Sequence, residues 1–588
     1  MNVLSMGMPF GTTHVPLSLF RSLCGHDVRV LAAAGTEEVT LDSAGVPFVE
    51  RVDYAFGADE TAAEVIARIS ADWAPDLLIC WMPEMFPPPR AIEHCPIKTA
   101  AIVSDWNIYY PQIEYNMARY DVVVTDKLGS EVLELRGAKA RYLFPLYSHR
   151  SPLHRKIDVA KDIDVAFLGN LNHAIHHERA RYLELAASLS DRYRVVIGSG
   201  VYGEEYVRLF NRTRIVLNCA LRREMNLRCF EAIACNALLF IGEDNLETPD
   251  CLEDREDVVM YREDNLVELL EHYLSHPEKT ARITRQGNAK AADLAGEKRM
   301  DALITWLGEQ PMGPRAFRDF PAEDQALAGI MQYASSLVTV QAMSNAEPLT
   351  RAARQFPDRP EFLVALGSDM LAKMSMLTEE QRKALGNDVA TWFKGACGMR
   401  EDSAALWLNL AFLCRNSSAE SSEAGCLEFA LRAGSCDYGG QLLGRFSDPY
   451  YARWRRALAF REQRVEMLWA AAAARLAELR LDQQRYEEAC DLATRSLGWM
   501  PDVAEPYRVR AVAESQLGDL ARAADTLAEG LPFTAFDADY RLDLVAAWQA
   551  LGKIREAREL ALESVRIFAA CPGEKASVEA FHSAAETL

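Results

Sequence analysis

The chain has 588 residues, 49% of them hydrophobic and 25% charged, a length and balance that call for two to four folded domains rather than one core. Its formal net charge of −21 would repel a phosphate backbone, which argues against duplex nucleic acid as a main partner. No apolar stretch approaches the roughly 20 residues that span a bilayer, "MNVLSMGMPFGTTH" lacks the basic start of a signal peptide, and thirteen cysteines with no CxxC pair read as reduced thiols, so the expected compartment is the cytosol.

In chain order, short apolar runs alternate with helical patterns over the first 300 residues, the mark of parallel α/β structure. "MNVLSMG", "DVRVLAAAG", "DLLICWMP", "KTAAIVSDW" and "DVVVTDK" form a first series of strands, apolar throughout as in a sheet covered on both faces. The basic, proline-bearing "RYLFPLYSHRSPLHRKIDVAKD" reads as a crossing between domains 1–150 and 151–312. A second series follows with "DVAFLGNL", "RVVIGSG", "RIVLNCA" and "ALLFIGED".

Beyond "WLGEQPMGPRAFRDFPAED" strand signals stop, and residues 320–588 are rich in Ala, Leu, Arg and Glu at helical spacing. "LDQQRYEEACDLA", "SQLGDLARAADTL" and "QALGKIREARELA" align with a shift of 34, superposing Gln484, Gly518 and Gly552, then Tyr486, Leu520 and Ile554, then Ala489, Ala523 and Ala557. This resembles the tetratricopeptide repeat, in which small residues let two helices approach and each pair buries its outer face on the next. "FPDRPEFLVALGSDMLA" and "REDSAALWLNLAFLCR" look like degenerate members upstream. Such a solenoid offers a concave docking surface; the plainer alternative is a structural arm or one that pairs two copies of the chain.

Two motifs point away from the chemistry they first suggest. Gly198, Gly200 and Gly203 have GxGxxG spacing after a strand, but a dinucleotide fold needs an acidic residue about 20 positions on, and "RIVLNCA" supplies Asn218 instead. His173, His176 and His177 lie close together without a second ligand cluster, so no metal site is expected. His173 nevertheless follows a strand, where open α/β sheets bind ligands, as do Gly169 and Asn170 just before it.

The stretch "EMNLRCFEAIACNALLFIGED" reads as loop, helix and strand. Its helix N-terminus, near Asn226, attracts phosphate through free N–H groups and the helix dipole. Arg228 adds a cation suited to bidentate contact with a diphosphate, and Glu231, three residues on, lies on the same helix face where it can accept from ribose hydroxyls. A surface ion pair is the plain alternative.

"NCALRREMNLRCFEAIACNALLF" resembles the signature of bacterial glycosyltransferases of the CgeB (spore-maturation-like) group, met here by Leu217-Asn218, Asn226, Arg228, Phe230-Glu231-Ala232 and Ala234-Cys235. The resemblance implies a GT-B fold, two Rossmann-like domains facing a cleft, followed here by the all-α solenoid. It implies a donor site made of Gly169, Asn170, His173, Asn218, Asn226, Arg228 and Glu231, with Glu231 on the donor ribose. Two departures stand out: Asn236 replaces the usual Gly after Cys, and the first Glu of the wider Glu-x7-Glu pattern falls on Arg223, with Glu224 one place off. In the first half, "GMPFGTTHVPLSLFRSLCGHDVRVL" opens as GT-B enzymes do, which brings Gly7, Gly11, Thr12 and His14 to the cleft, His14 as a catalytic or acceptor-side group. Asp105, ending a strand, is the candidate base for an acceptor hydroxyl, with Glu84 behind it; a turn cap is the alternative role for Asp105.

The expected function is transfer of a sugar from a nucleoside-diphosphate sugar, without metal or other cofactor, to an acceptor, a bacterial surface or flagellar protein docked on the solenoid being the favoured class and a lipid-linked glycan the competing one. A non-catalytic scaffold with a decayed transferase domain and a GT-B sugar-nucleotide epimerase are the alternatives.

Overall fold

The computed structural model describes residues 1–7, 25–34, 40–41, 48–49, 52–57, 59–83, 86, 88–104, 106, 116–135, 140–150, 153–171, 177–220, 222–313, 315–326, 346–373, 378–416, 420–434, 465–534 and 536–588. The chain forms two compact units, Met1–Leu171 with Leu189–Ser344, and Asn172–Ser188 with Asn345–Leu588.

The first unit carries two all-parallel sheets. The first is built from β1 (Asn2–Met6), β2 (Asp27–Ala33), β5 (Tyr54–Phe56), β6 (Leu77–Trp81), β7 (Lys98–Ile102), β8 (Val122–Val124) and β9 (Ala140–Arg141), in the order β5-β2-β1-β6-β7-β8-β9. A short antiparallel pair, β3 (Thr40–Leu41) with β4 (Phe48–Val49), stands outside it. The second sheet uses β10 (Ile163–Leu168), β11 (Val195–Gly198), β12 (Thr213–Asn218), β13 (Leu238–Gly242) and β14 (Val259–Tyr261), in the order β11-β10-β12-β13-β14. Two all-parallel doubly wound sheets of this kind are the GT-B arrangement. Their strands are apolar throughout because both faces are covered: every residue of β6 and β8 is buried. In β1, Val3 and Leu4 point into different core clusters, as the two-residue period of a strand requires.

Strand order reverses between β1 and β6 in the first sheet and between β10 and β12 in the second, and such switch points are where open α/β sheets bind ligands. At the first of them Gly7 has φ +117°, and a Cβ there would overlap the Trp81 carbonyl. After α1 (Ala62–Ile69) and α2 (Lys127–Leu135), the helices of this unit that bear on the site are α4 (Gly203–Arg212) and α5 (Leu227–Ala234), followed by α6 (Leu266–Ser275), α7 (Pro277–Lys290) and α8 (Gly296–Glu309). α8 returns to the first sheet, where the Lys98 ammonium donates to the Leu307 and Gly308 carbonyls at 3.1 and 2.7 Å.

The second unit is helical, so the fold is a GT-B α/β body followed by a tetratricopeptide-like solenoid. It includes α3 (His177–Ala187) and then α9 (Ala346–Gln355), α10 (Pro360–Lys373), α11 (Glu379–Met399), α12 (Ala404–Asn416), α13 (Glu420–Arg432), α14 (Val465–Asp482), α15 (Tyr486–Trp499), α16 (Ala504–Gln516), α17 (Leu520–Gly530), α18 (Ala538–Ala550), α19 (Ile554–Ala569) and α20 (Lys575–Thr587). The aligned columns have a structural reason. Gln484, Gly518 and Gly552 have φ of 59°, 88° and 72°, each the left-handed residue that ends the first helix of a pair. Each turn closes the same way, with Gly518 N–H on Ser515 O at 3.0 Å and Asp519 N–H on Glu514 O at 3.0 Å, repeated 34 residues before and after. Ala489, Ala523 and Ala557 are buried where the paired helices touch.

The segment 172–188, which the sequence reading puts inside 151–312, clusters with the helices. Within that unit Arg541, buried, donates to Glu184 Oε1 at 2.9 Å, and the Phe536 amide donates to the same oxygen at 3.2 Å.

Candidate active site

The second switch point is built around one arginine. β10 ends at Leu168 and β12 at Asn218, and Arg228, from the first turn of α5, closes the gap between them. Its Nε donates to Leu168 O at 2.8 Å and its Nη1 to Asn218 Oδ1 at 2.8 Å. The guanidinium lies over the Phe167 ring, 4.1 Å from its centroid. Gly169 follows β10, and a Cβ there would run into Arg228 Nη2, so a larger residue would require the end of the Arg228 side chain to move. Nε and Nη1 are engaged by the two strand ends, while Nη2 lies over Gly169. The bidentate diphosphate contact expected of Arg228 would require a different rotamer.

Asn218 is fully buried, and its Nδ2 has no hydrogen-bond partner among the described residues. A buried donor left in this state at a strand end is suited to a ligand acceptor. Asn226 is the N-cap of α5 with no side-chain cap bond, so its first-turn amides keep their anion-attracting character.

Glu231 lies three residues after Arg228 but takes a different direction. Its Oε2 accepts from Tyr206 Oη, on α4, at 2.7 Å, and its Oε1 is 3.5 Å from His154 Nε2. Burial pushes its carboxyl above the usual range, while the Tyr206 hydroxyl, Arg228, Arg150 and His149 pull it down. His154 is pushed down to about 3 by burial and by its neighbours Arg150 and His149, so its ring is neutral. Its Nδ1 accepts the Arg150 amide at 3.1 Å, which puts the ring proton on Nε2, towards Glu231. The surroundings of Glu231 are thus made by His149, Arg150 and His154 together with Tyr206 of α4. Sequence reasoning took 149–154 as a domain crossing and missed His149, Arg150, His154 and Tyr206; the one signal for the first three was the density of His and Arg in "LYSHRSPLH", and Tyr206 had none.

Both departures from the resembled pattern have local explanations. Asn236 has φ 58° and sits where α5 stops, with Asn236 N–H on Ile233 O at 3.1 Å and Ala237 N–H on Ala232 O at 3.0 Å, a glycine-type helix ending that Asn also tolerates. The Lys161 ammonium seals it on Asn236 O at 2.8 Å. Asn236→Ala should therefore cost about 1 kcal/mol, and Asn236→Gly should stay within about 0.5 kcal/mol of wild type, read from urea unfolding. Arg223, also left-handed at φ 58°, is half-exposed and donates to Asp244 O at 2.8 Å. Glu224 is buried and accepts the Arg222 amide at 2.7 Å, so it shapes the loop.

Gly198, Gly200 and Gly203 form the turn from β11 into α4, Gly200 and Gly203 with φ of 74° and 59°. Asn170 is exposed after Gly169. Gly11, Thr12, His14, Glu84, Asp105 and His173 lie outside the described residues.

Residues 150–305 match a family model described as glycosyl transferase-like. No curated protein matches. Among solved structures, the pneumococcal O-GlcNAc transferase GtfA in complex with UDP and GlcNAc is 14% identical at TM-score 0.32, over 45% of this chain and 61% of its own. TarM is 8% identical at TM-score 0.30, over 40% of this chain and 54% of its own. YrrB, a TPR protein with an unusual peptide-binding site, is 12% identical at TM-score 0.28, over 40% of this chain and 99% of its own. The chain thus spans little more than half the length of the two transferase structures. The matched residues 150–305 include the Arg228 and Glu231 sites, and the chain carries a glycosyltransferase domain.

Proposed function

We propose that this protein transfers a sugar from a nucleoside-diphosphate sugar to an acceptor hydroxyl or amine, with a protein acceptor held by the helical unit. The observation that supports it best is Arg228 spanning the ends of β10 and β12 at a switch point inside the glycosyl transferase-like residues. In glycosyl transfer, negative charge grows on the leaving diphosphate. The α5 N-terminus and Arg228 Nη2 are placed to stabilise that charge as fixed dipole and cation, without a metal in the proposed reaction. Glu231, bonded to Tyr206, would accept from the donor ribose, and cleft closure would exclude water and favour transfer over hydrolysis. The scaffold alternative loses one support, because Asn236 keeps the backbone form that Gly would take. The proposal places the reaction in the cytosol; no described helix is long and apolar enough to cross a membrane.

For the acceptor, the helical unit offers a groove of about 520 Å³ between α13, α14 and α15, floored by Leu476 and Leu492 and edged by Glu487 and Asp491. Truncating the C-terminal helices is a poor test of docking, because α3 belongs to the same unit and would lose Arg541. Reversing the exposed Glu487 and Asp491 together to Lys is the cleaner change. Transfer to protein should fall at least about tenfold, the effect of 1.4 kcal/mol, while release of nucleoside diphosphate without acceptor stays at the wild-type rate. Unchanged protein transfer would contradict docking in this groove.

A further inference from the structure

A second buried set of ionisable side chains joins the two sheets of the α/β unit, and the proposed transfer makes no use of it. Asp126 follows β8 of the first sheet; Arg222 lies in the loop after β12 of the second. Arg222 Nε donates to Asp126 Oδ2 at 3.0 Å, and the same oxygen accepts from Trp106 Nε1 at 2.9 Å. Asp126 Oδ1 accepts the Gly129 amide at 2.7 Å, which ties the carboxylate to the first turn of α2. Glu224 stands beside the guanidinium, its Oε1 3.6 Å from Arg222 Nη2. Glu247, in the loop after β13, accepts the Met225 amide at 2.8 Å and, across the junction, the Lys127 amide at 3.1 Å. Asp126 and Glu247 are each 1% exposed, and Arg222 and Glu224 each 5%.

Three buried carboxylates therefore gather at one junction, and two of them, Asp126 and Glu224, face the Arg222 guanidinium. Fully ionised they would outnumber the buried cations in a place water does not reach, an arrangement that a bound proton relieves. Of the outer charges, the buried Arg299 is close enough to feel Glu247 and offsets part of this excess. The Lys127 ammonium is paired with Asp250 at 3.0 Å near the surface, where Tyr142 Oη also donates to Asp250 at 2.7 Å. Arg299, on α8, is turned to the Pro145 carbonyl at 2.7 Å, and Tyr147 Oη is 3.5 Å from Arg222 Nη2.

We propose that this cluster is a proton-linked latch: Asp126 and Glu247, crowded by Glu224, hold the two sheets in their observed register while a proton is bound between them, and the junction loosens when that proton leaves. Burial pushes Asp126 up to about 6, with Arg222 opposing it and Glu224 adding to it. Burial likewise pushes Glu247 up to about 7, with Asp126 and Glu224 adding to it against the Met225 and Lys127 amides. Both carboxyls hold a proton more tightly in the closed junction than in water, so the closed form is favoured below this range and weakens as pH rises through about 6 to 7. In an opened junction the carboxylates meet water and ionise. The latch does not depend on which donor is bound, or on the transferase reading.

Hydrogen exchange of the full chain across pH 5.5 to 8 tests it, with protection corrected for intrinsic exchange and referred to β13. Protection of residues 122–130 and 222–226 should fall about tenfold relative to β13 through that range, the change expected for one pKa unit of linkage. Glu224→Gln removes the charge that raises both other carboxyls, so in that variant the fall should be complete at lower pH and smaller across this range. Flat protection in the wild type overturns the latch, whether or not the variant folds. A fall that Glu224→Gln leaves in place assigns the proton to another group and overturns it too.

Discussion

Arg222→Met is expected to be among the most damaging single changes in the α/β unit, lowering its stability by about 3–5 kcal/mol at pH 8, the range for breaking a buried ion pair from one side. The change leaves Asp126 with the Trp106 and Gly129 donors but without its cation, in a site 1% exposed. Glu224 loses its neighbouring charge as well. The sign with pH follows from the same carboxyls. Without Arg222 they must be neutral to stay buried, so the loss should shrink at pH 5.5, where a proton takes the place of the guanidinium. Urea unfolding at the two pH values, followed by exchange in β8 and β12 rather than by total helix content, reads the effect in the right unit. Equal losses at both values would mean that the arginine acts by packing alone.

Arg228→Ala should lose nucleotide binding and about 2–4 kcal/mol of stability together, since two charge-assisted hydrogen bonds disappear and a fully buried Asn218 is left without a partner on either polar atom. Separating the two effects calls for Arg228→Lys. An ammonium keeps the charge but lacks the fork that reaches Leu168 O and Asn218 Oδ1 at once. Its stability loss should be smaller, while nucleotide affinity should still fall about tenfold or more, 1.4 kcal/mol being a factor of ten. Full affinity in Arg228→Lys would show that charge alone matters and that the clamp between strand ends does not.

What the sequence made legible was local or periodic. The solenoid turns could be found because Gln484, Gly518 and Gly552 recur at one period, and each has the left-handed backbone that such a turn needs. The strand, loop and helix around Arg228 were readable for a similar reason: apolar runs, an Asn before the helix and an arginine in its first turn are neighbours in the chain. The direction of each side chain was not readable. Helical spacing put Arg228 and Glu231 on one face, yet Arg228 turns under the strand ends, and Glu231 meets Tyr206 and His154 from two remote segments. Nor does any pattern in "LRREMN" announce that Arg222 pairs with Asp126, 96 residues away. The membership of 172–188 in the helical unit rests on contacts such as Glu184 with Arg541, which no local signal carries.

The most direct test of the central claim is a thermal-shift panel of nucleoside diphosphates and nucleotide sugars on the full chain and on Glu231→Ala. A ligand at 100 times its Kd adds about 2.7 kcal/mol to the native state, a shift large enough to read plainly. A donor site at the end of β10 and β12 predicts that one nucleoside diphosphate and its sugar raise the Tm of the wild type and leave a folded Glu231→Ala protein where it was. No shift from any member of the panel, or an equal shift in the two proteins, would contradict it.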